Sequence, residues 1–497
     1  MTTDIREASA RLPESVARPF PSNFLFGAAT AALQIEGAAA EGGRRDSIWD
    51  AFSRVPGAVI NADNGEVACD HYHLYRDDVA LMKSMGLQTY RFSTSWSRVR
   101  PDGGALNPEG IDFYQRLVDE LLDADILPWL TLYHWDLPQA LQEKGGWAVR
   151  DTADRFTEYA LDMHDALGDR VDVWTTLNEP WCSSFLSYTA GLHAPGHYSK
   201  SEGMLAAHHL LLGHGQTVRE LRDRDSSLNL GITLNLTVAD PVDPADPADL
   251  DAARRIDGQF NRWFLDPIFR GRYPQDIFDE IADEALRAAI LPGDLEAIST
   301  PIDTLGVNYY HGEYVGGHAP AVPPRPGDAP TDRRGESPFP SSEGIFWHER
   351  GLPRTPMNWE VQPEGLTRLL VRVSEEYSAP AGTSLFVTEN GAAYDDVAVL
   401  EDGIVHVHDT ERTEFVRVHL GAILDALDIG VDVRGYFYWS LLDNFEWAWG
   451  YEKRFGIVRV DYDSQARSIK DSGREYSRII SARALDDIEP TSAVSGA

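Results

Sequence analysis

Residues 174–181 read Trp-Thr-Thr-Leu-Asn-Glu-Pro-Trp, and Val-Asp-Val precedes them at positions 171–173. The pattern predicts a strand that ends at an acidic side chain, Glu179, because Pro180 cannot continue the hydrogen bonding of a strand. In a parallel α/β barrel, reactive side chains lie at the carboxyl ends of the strands. An isolated Glu-Pro pair is more often an ordinary strand end, so the rest of the chain decides whether Glu179 is catalytic.

Seven further apolar runs of strand length are separated mostly by stretches with helical periodicity. The runs cover residues 24–27, 89–93, 126–133, 230–235, 302–308, 384–388 and 433–439, and helices are expected at 73–85, 111–123, 151–167, 202–222 and 411–427, with others within 250–290. Continuous apolar runs indicate strands covered on both faces, as in a parallel sheet. Eight strand-helix units predict the α/β class: a single (β/α)8 TIM barrel with long loops at the C-terminal face of the strands.

The predicted barrel domain occupies residues 19–486, and the segments 1–18 and 487–497 are expected to be disordered tails. Residues 312–354 are rich in proline and glycine. A linker between two domains is the alternative for this segment, but strand-helix units resume beyond it and continue the same series. We therefore expect a long loop that covers the mouth of the barrel.

Charge and cysteine content narrow the class of protein. The chain has 44 Lys and Arg residues against 79 Asp and Glu residues, a formal net charge of −35, which argues against nucleic acid or an anionic membrane as a partner. No segment is long and apolar enough to span a membrane, and the first twenty residues do not resemble a secretory signal. With only Cys69 and Cys182, no disulfide framework is expected, and we predict a cytoplasmic protein.

Polar and aromatic side chains recur where the predicted strands end, and in a barrel such side chains meet at one face. Indole rings with amide, imidazole and carboxylate groups suit a sugar, whose C–H face packs on an aromatic ring while its hydroxyls donate and accept hydrogen bonds. The pattern therefore predicts a small-molecule carbohydrate as the substrate. The residues are Gln34, Arg91, His134, Asn178, Glu179, Asn308, Tyr310, Glu389 and Trp439, with Glu446 and Trp447 just beyond.

Two carboxylates that face a sugar indicate glycoside hydrolysis, in which one protonates the leaving oxygen and the other attacks the anomeric carbon or activates water. Glu179 and Glu389 are the predicted pair. Arg91 and Tyr310 are expected neighbours of Glu389 and would hold it ionised. The charge of Glu389 would then raise the pKa of Glu179, so that Glu179 begins protonated.

No metal or cofactor is predicted. His71 and His73, and the adjacent His208 and His209, do not present two imidazoles on one helical face, and no carboxylate-rich companion lies nearby in sequence. No glycine-rich segment has the strand-to-helix context and the lysine of a phosphate-binding loop. Cys182 follows Glu179 closely, but we expect a small buried packing residue rather than a nucleophile, because no histidine base accompanies it in sequence.

Eight short motifs occur in a specific order between residues 20 and 480. In that order they resemble family 1 of the glycoside hydrolases, the β-glucosidase family. The motifs are Phe24-Leu-Phe-Gly-Ala-Ala-Thr, Gln34-Ile-Glu-Gly, Tyr90-Arg-Phe-Ser, Tyr133-His-Trp-Asp, Thr176-Leu-Asn-Glu-Pro, Asn308-Tyr-Tyr, Thr388-Glu-Asn-Gly and Trp439-Ser-Leu-Leu-Asp-Asn-Phe-Glu-Trp.

The resemblance implies roles for individual residues. Glu179 corresponds to the acid/base and Glu389 to the nucleophile, with Arg91, Asn308 and Tyr310 as supporting residues. The residues that would hold the hydroxyls of the terminal sugar are Gln34, His134, Asn178, Glu446 and Trp447.

Two further indoles have family counterparts. Trp439 resembles the platform under the terminal sugar, and Trp359 resembles the indole on the aglycone side, although Asn358 stands where the family often has glycine.

The resemblance implies a retaining, exo-acting β-glycosidase that releases terminal β-D-glucose, with β-galactosides and β-fucosides as candidate further substrates. A transglycosylase that forms the same glycosyl-enzyme and a non-catalytic sugar-binding protein are the alternatives. Family members that act on 6-phosphosugars have a Ser and Lys pattern where this chain has Glu446 and Trp447, and those that act on thioglucosides have Gln at the position of Glu179, so both specialisations are disfavoured. The sequence leaves the oligomeric state open.

Overall fold

Eight parallel strands form a closed barrel in which each strand pairs with its neighbour in sequence. The computed structural model describes residues 17–321 and 337–486. Trp439 on the last strand pairs with Ala29 on the first, which closes the ring. The strands are β1 (Leu25–Ala29), β2 (Thr89–Ser93), β3 (Leu127–Tyr133), β4 (Val173–Asn178), β5 (Asn229–Asn235), β6 (Thr304–Asn308), β7 (Ser384–Asn390) and β8 (Val433–Trp439). The predicted (β/α)8 barrel is confirmed.

Burial on both faces explains the continuous apolar runs of the strands. Every residue of β2, β4, β6 and β7 is buried. The outer side chains pack under helices, while the inner ones fill the barrel. Buried carboxyl, guanidinium and amide side chains that contact one another lie at or near the carboxyl ends of β4, β6 and β7 and on β2.

In the described parts of the chain, eight long helices alternate with the barrel strands. The helix Asp151–Leu167 has the predicted bounds, and the other predicted helices extend by one to three residues at one or both ends. Pro363–Val373 and Asp471–Ala482 were not predicted. The long helices are His71–Met85, Pro108–Asp123, Asp151–Leu167, Lys200–Arg224, Pro247–Asp257, Pro363–Val373, Thr410–Asp428 and Asp471–Ala482.

Shorter helices occupy the connections between these elements. None of the helices within the described ranges combines the length and hydropathy needed to cross a bilayer. The short helices are Ala32–Ile35, Ile48–Ser53, Trp96–Val99, Gln139–Gln142, Cys182–Thr189, Gly258–Arg262, Trp263–Arg270, Gln275–Ile281, Glu284–Ala289, Asp294–Ile298, Ser374–Ser378 and Ala379–Ala381, with single turns at Ile60–Ala62, Gly146–Ala148 and Trp447–Trp449.

Small sheets form outside the barrel. Ala239–Pro241, Glu313–Gly316 and Phe346–Trp347 make a three-stranded sheet after β5 and β6. This sheet includes both ends of the proline-rich segment predicted to cover the barrel mouth, whose central residues 322–336 lie outside the described residues. The two remaining hairpins pair Ala398–Glu401 with Ile404–Val407 and Val458–Val460 with Arg467–Ile469.

The two ends of the described chain meet. Arg18–Pro19 pairs antiparallel with Ala484–Leu485, so the sheet begins one residue inside the segment expected to be a tail. The rest of the predicted tails, residues 1–16 and 487–497, lies outside the described residues.

Candidate active site

Glu179 directly follows β4 and leaves the strand in the left-handed region, with φ of 48°. This conformation is uncommon for a residue other than glycine. The Glu179 amide donates to the carbonyl oxygen of Thr233 on β5 at 2.9 Å, which anchors the turn before Pro180. The side chain is 5% exposed and is therefore held in a fixed direction at the barrel mouth.

The two carboxyl oxygens of Glu179 accept from neutral donors. Asn308 Nδ2 donates to Oε1 at 2.6 Å, and the Cys182 thiol donates to Oε2 at 3.1 Å. Burial, followed by the charge of Glu389, raises the pKa of Glu179 to about 8. At neutral pH this group therefore holds its proton. The direction of this pKa shift is the one predicted from the sequence, but its largest cause is burial rather than the charge of Glu389.

Glu389 lies near the end of β7 and accepts from a charged donor. Arg91 Nη1 donates to Oε1 at 2.6 Å, and Tyr310 Oη donates to Oε2 at 2.7 Å. Burial raises the pKa of Glu389, while the guanidinium and the phenol act in the opposite direction. Because only Glu389 has a cationic partner among these contacts, it is the member of the pair that carries the negative charge. Arg91 and Tyr310 are the neighbours predicted for it.

A chain of amide contacts joins the two acids. Asn178 Oδ1 accepts from Arg91 Nη2 at 2.7 Å and from Asn308 Nδ2 at 3.1 Å. These two donors fix the orientation of the Asn178 amide, because its oxygen must face both. The amide nitrogen then points at His134, with Nδ2 to Nε2 at 3.0 Å. Strand ends far apart in sequence thus form one network.

His134 is neutral, because burial and the nearby Arg91 place its pKa well below the ordinary value. With Nε2 accepting from Asn178, the ring proton lies on Nδ1, which has no hydrogen-bond partner within the described residues. The ring is nearly parallel to the indoles of Trp439 and Trp447, at 5.6 and 6.0 Å between centroids. A buried donor without a partner beside two indoles is suited to a ligand hydroxyl.

Gln34 and Glu446 form a second polar group. Gln34 Nε2 donates to Asn444 Oδ1 at 3.0 Å and to the carbonyl of Phe445 at 2.9 Å, and it lies 3.5 Å from Glu446 Oε2. In the part of the chain that the structure describes, Gln34 Oε1 is buried without a partner. Burial and the charge of Glu389 raise the pKa of Glu446 to about 8. The residues expected to bind hydroxyls therefore present both donors and acceptors.

All of these groups surround one cavity of about 380 Å³. Arg91, Asn178 and Gln34 do not line it but hold lining residues from behind. The predicted site residues that do line it are His134, Glu179, Asn308, Tyr310, Trp359, Glu389, Trp439, Glu446 and Trp447. With Glu179 protonated and Glu389 ionised, this cavity with indole walls can protonate a leaving group and attack a sugar carbon.

Residues 16–485 of the chain match Glycosyl hydrolase family 1. The chain belongs to this family. It is therefore a glycoside hydrolase, and its resemblance to the family is confirmed over nearly the whole sequence.

Relatives of this family 1 enzyme match along their full length. Beta-glucosidase A from Thermotoga maritima is 44% identical, with 95% of this chain and 99% of the relative covered. The bifunctional beta-D-glucosidase/beta-D-fucosidase from Bifidobacterium breve is 46% identical, with 93% and 98% covered. Among solved structures, the psychrophilic beta-glucosidase from Micrococcus antarcticus superposes with a TM-score of 0.91 at 55% identity, covering 94% of this chain and 98% of that one.

Aromatic side chains form part of the wall of the family 1 cavity. Trp181 lies 4.5 Å from Phe260 and 5.6 Å from Phe339 between ring centroids, and Trp359 lies 5.1 Å from His311 in a nearly parallel arrangement. All five side chains line the cavity. These five rings therefore give the cavity flat surfaces in addition to its carboxyl groups.

Several residues of the site were missed from the sequence. Trp135 donates to the carbonyl of Asn178 at 3.0 Å and packs 4.5 Å from Trp447; its place beside His134 in a quoted motif was the available signal. Phe260 and Phe339 gave none, because they lie outside the barrel strands. Cys182 is buried as predicted, but its thiol contact with the acid was not anticipated.

The histidines that were set aside as metal ligands have partners in the protein. His71 Nδ1 lies 2.8 Å from Asp78, and His208 lies 3.0 Å from the hydroxyl of Tyr273 and 3.2 Å from Asp294. Their positions are those of structural hydrogen-bonding groups.

Proposed function

We propose that this family 1 enzyme is a retaining, exo-acting β-glucosidase that releases terminal β-D-glucose from short oligosaccharides and from aryl and alkyl glycosides. The supporting observation is the difference between two buried carboxyl groups on one cavity. Glu389 accepts from a guanidinium and a phenol, whereas the donors to Glu179 among the described residues are an amide and a thiol. The names of the relatives support glucose as the released sugar.

In the first step, Glu389 attacks the anomeric carbon while Glu179 gives its proton to the glycosidic oxygen. The bond to the aglycone breaks, the alcohol leaves, and the sugar becomes an ester of Glu389. Tyr310 and Arg91 hold the attacking carboxylate. His134 Nδ1 supplies a donor beside the sugar, Asn178 Nδ2 holds the His134 ring in place, and Trp439 supplies the ring under the sugar.

In the second step, the ester has removed the charge of Glu389. The Coulombic contribution to the raised pKa of Glu179 is then absent, so the carboxylate formed in the first step persists long enough to accept a proton from water. The resulting hydroxide equivalent attacks the anomeric carbon and displaces Glu389. Two inversions restore the β configuration.

Chemical rescue tests the proposal. Wild-type protein should release nitrophenol from 4-nitrophenyl β-glucoside, and Glu389→Ala should lose at least about 10³-fold in kcat because the nucleophile is absent. Azide should restore turnover of an activated aryl glucoside in that variant and yield the α-glucosyl azide. Glu375→Ala, at an exposed position, is the matched control. Failure of azide and formate to restore any turnover would overturn the assignment of the nucleophile.

β-Fucosides are the further substrate that a specific finding favours, because the Bifidobacterium breve relative is named for both activities. A panel of 4-nitrophenyl β-glycosides, with cellobiose, separates glucose, galactose and fucose preference.

The two cysteines are buried free thiols, which supports a reducing compartment such as the cytoplasm.

A further inference from the structure

The thiol of Cys182 contacts the group that we propose as the catalytic acid. Its Sγ lies 3.1 Å from Glu179 Oε2, and Asn235 Nδ2 donates to the same sulfur at 3.6 Å. Cys182 begins the helix Cys182–Thr189, three residues after Glu179. Both Cys182 and Asn235 line the cavity, so this contact lies within reach of a bound substrate.

The two oxygens of Glu179 have partners of different kinds. The partner of Oε1 is the amide nitrogen of Asn308, which can only donate. The orientation of this amide is fixed because the Thr388 hydroxyl donates to the Asn308 oxygen at 2.8 Å. A thiol at Oε2 can both donate and accept weakly. Oε2 is therefore the oxygen that can gain or lose a proton without breaking a hydrogen bond to an amide.

The thiol itself remains a thiol. Burial raises the pKa of Cys182 well above its ordinary value, and the neighbouring Glu179 acts in the same direction. Because the thiolate is the reactive form of cysteine, this environment disfavours a nucleophilic role. Because the Asn235 amide donates to the sulfur of Cys182, the sulfur acts as an acceptor there and its S–H bond is directed to Glu179.

We propose that Cys182 is a positioning residue for the oxygen of Glu179 that transfers the proton. Its thiol donates to the carboxylate, and it rotates to accept when Oε2 carries a hydrogen. In the first step the O–H bond at Oε2 breaks and one forms on the leaving oxygen; in the second step the O–H bond at Oε2 forms again with a proton from water. The thiol keeps its own hydrogen throughout, and this inference rests on the acid/base role proposed for Glu179.

A packing role makes a different prediction from a positioning role. If Cys182 only fills space, valine should replace it without changing how Glu179 titrates. If the thiol holds Oε2, every variant without a donor should raise the pKa of Glu179, because the carboxylate loses a hydrogen bond that stabilises it. Serine, which keeps a hydroxyl donor, should preserve the wild-type behaviour.

The experiment compares Cys182→Ala, Cys182→Val and Cys182→Ser with Cys69→Ala, which removes a buried thiol that donates to the Asp443 carbonyl instead. Hydrolysis of an alkyl β-glucoside, which needs the acid, is measured as kcat/KM against pH. For Cys182→Ala and Cys182→Val, the alkaline limb should move upward by about 0.5 to 1 pH unit, a change of about 3- to 10-fold in the dissociation constant. Cys182→Ser and Cys69→Ala should keep the wild-type limb.

A second substrate isolates the base-assisted step. For 2,4-dinitrophenyl β-glucoside, whose leaving group needs no acid, kcat reports the attack of water and should fall about 5-fold in Cys182→Ala, on the order of one weak hydrogen bond. Its kcat/KM should fall far less. An unmoved alkaline limb in both Cys182→Ala and Cys182→Val, or an equal shift in Cys182→Ser, overturns the proposal.

Infrared spectroscopy provides a test that does not depend on the folding of Cys182 variants. Because the chain has two cysteines, Cys69→Ala leaves the S–H stretch of Cys182 as the only one in the protein. This band should change frequency with an inflection at the same pH as the alkaline limb, and a band independent of pH would contradict the proposed contact. If wild-type protein fails to hydrolyse any β-glucoside, the proposed function fails first, and the two failures are thereby distinguished.

Discussion

At Glu179, the requirements of the acid/base role that we propose and those of folding oppose each other. A carboxyl group that must hold a proton at neutral pH has to be buried, and that burial disfavours the charge it acquires during turnover. The unfolded chain has no such constraint, since its Glu179 ionises near the ordinary value of 4.5. The raised pKa of Glu179 in the folded protein therefore makes the free energy of unfolding depend on pH.

Glu179→Gln is expected to stabilise the folded protein at alkaline pH. The pKa of Glu179 rises on folding from 4.5 to about 8. The favourable contribution of this group to the free energy of unfolding is therefore fully present below pH 4.5 and is lost as pH rises toward 8. Glutamine keeps the acceptor oxygen and has no proton to lose. We expect a gain of about 2 kcal/mol at pH 8 and no gain at pH 4, from denaturant unfolding at both pH values.

The same substitution should reduce kcat/KM for cellobiose far more than kcat/KM for dinitrophenyl glucoside, because only the poor leaving group needs the acid.

Glu375→Gln at an exposed helix position is the control for the stability measurement. If Glu179→Gln changes the free energy of unfolding by the same amount at pH 4 and at pH 8, this carboxyl group is not the one that titrates.

At the level of elements, the loop after β8 depends on a buried ionic cluster. Lys470 Nζ donates to Asp443 Oδ1 at 2.6 Å and also contacts Asp396, which Arg412 binds at 2.9 Å. Lys470, Asp396 and Asp443 are almost completely inaccessible to solvent. The cluster joins the loop after β7, two helices and the loop after β8, and Asn444 in that last loop accepts from Gln34. It thus supports the loop that holds Gln34, which in turn contacts Glu446 at the cavity.

Lys470→Met should reduce the free energy of unfolding by about 3 to 5 kcal/mol, because two carboxylates lose a buried partner. The loop that presents Asn444 should then become less ordered, so KM for glucosides should rise more than kcat falls. Lys83→Met, at an exposed helix position, should change neither quantity. Thermal unfolding and steady-state kinetics on the same preparations check both expectations. An unchanged KM in a destabilised Lys470→Met protein would show that the cluster does not support substrate binding.

These elements also show what the sequence could and could not predict. The strand β2 and the helix Asp151–Leu167 have their predicted bounds, because continuous apolar runs and helical periodicity report burial directly. The helix Pro363–Val373 was missed since it begins with proline soon after a proline-rich segment, although proline is common at a first helical position. Strand ends predicted the contact between Arg91 and Glu389. The position of Phe339 depends on loop geometry, and that of the Cys182 thiol depends on the turn at Glu179 that precedes its helix.

At the scale of the whole molecule, closure of the barrel brings the ends of the described chain together. Arg18 pairs with Leu485, and the guanidinium of Arg483 donates to the carbonyls of Pro21 and Phe24 at 2.6 and 2.8 Å. The segment that carries these carbonyls leads into β1, which pairs with both β2 and β8. The short terminal sheet therefore acts on the strand that closes the ring.

Two shortened chains test whether this terminal pairing belongs to the fold. A protein of residues 17–486 should keep the activity and the unfolding free energy of the full chain, as expected if the segments beyond it are tails. A protein of residues 20–482 loses Arg18, Arg483 and the buried Leu485 and should be less stable by about 2 to 4 kcal/mol, from one buried leucine and several hydrogen bonds. Denaturant unfolding measures both, and equal stability of the two shortened chains would mean that the barrel closes without its terminal sheet.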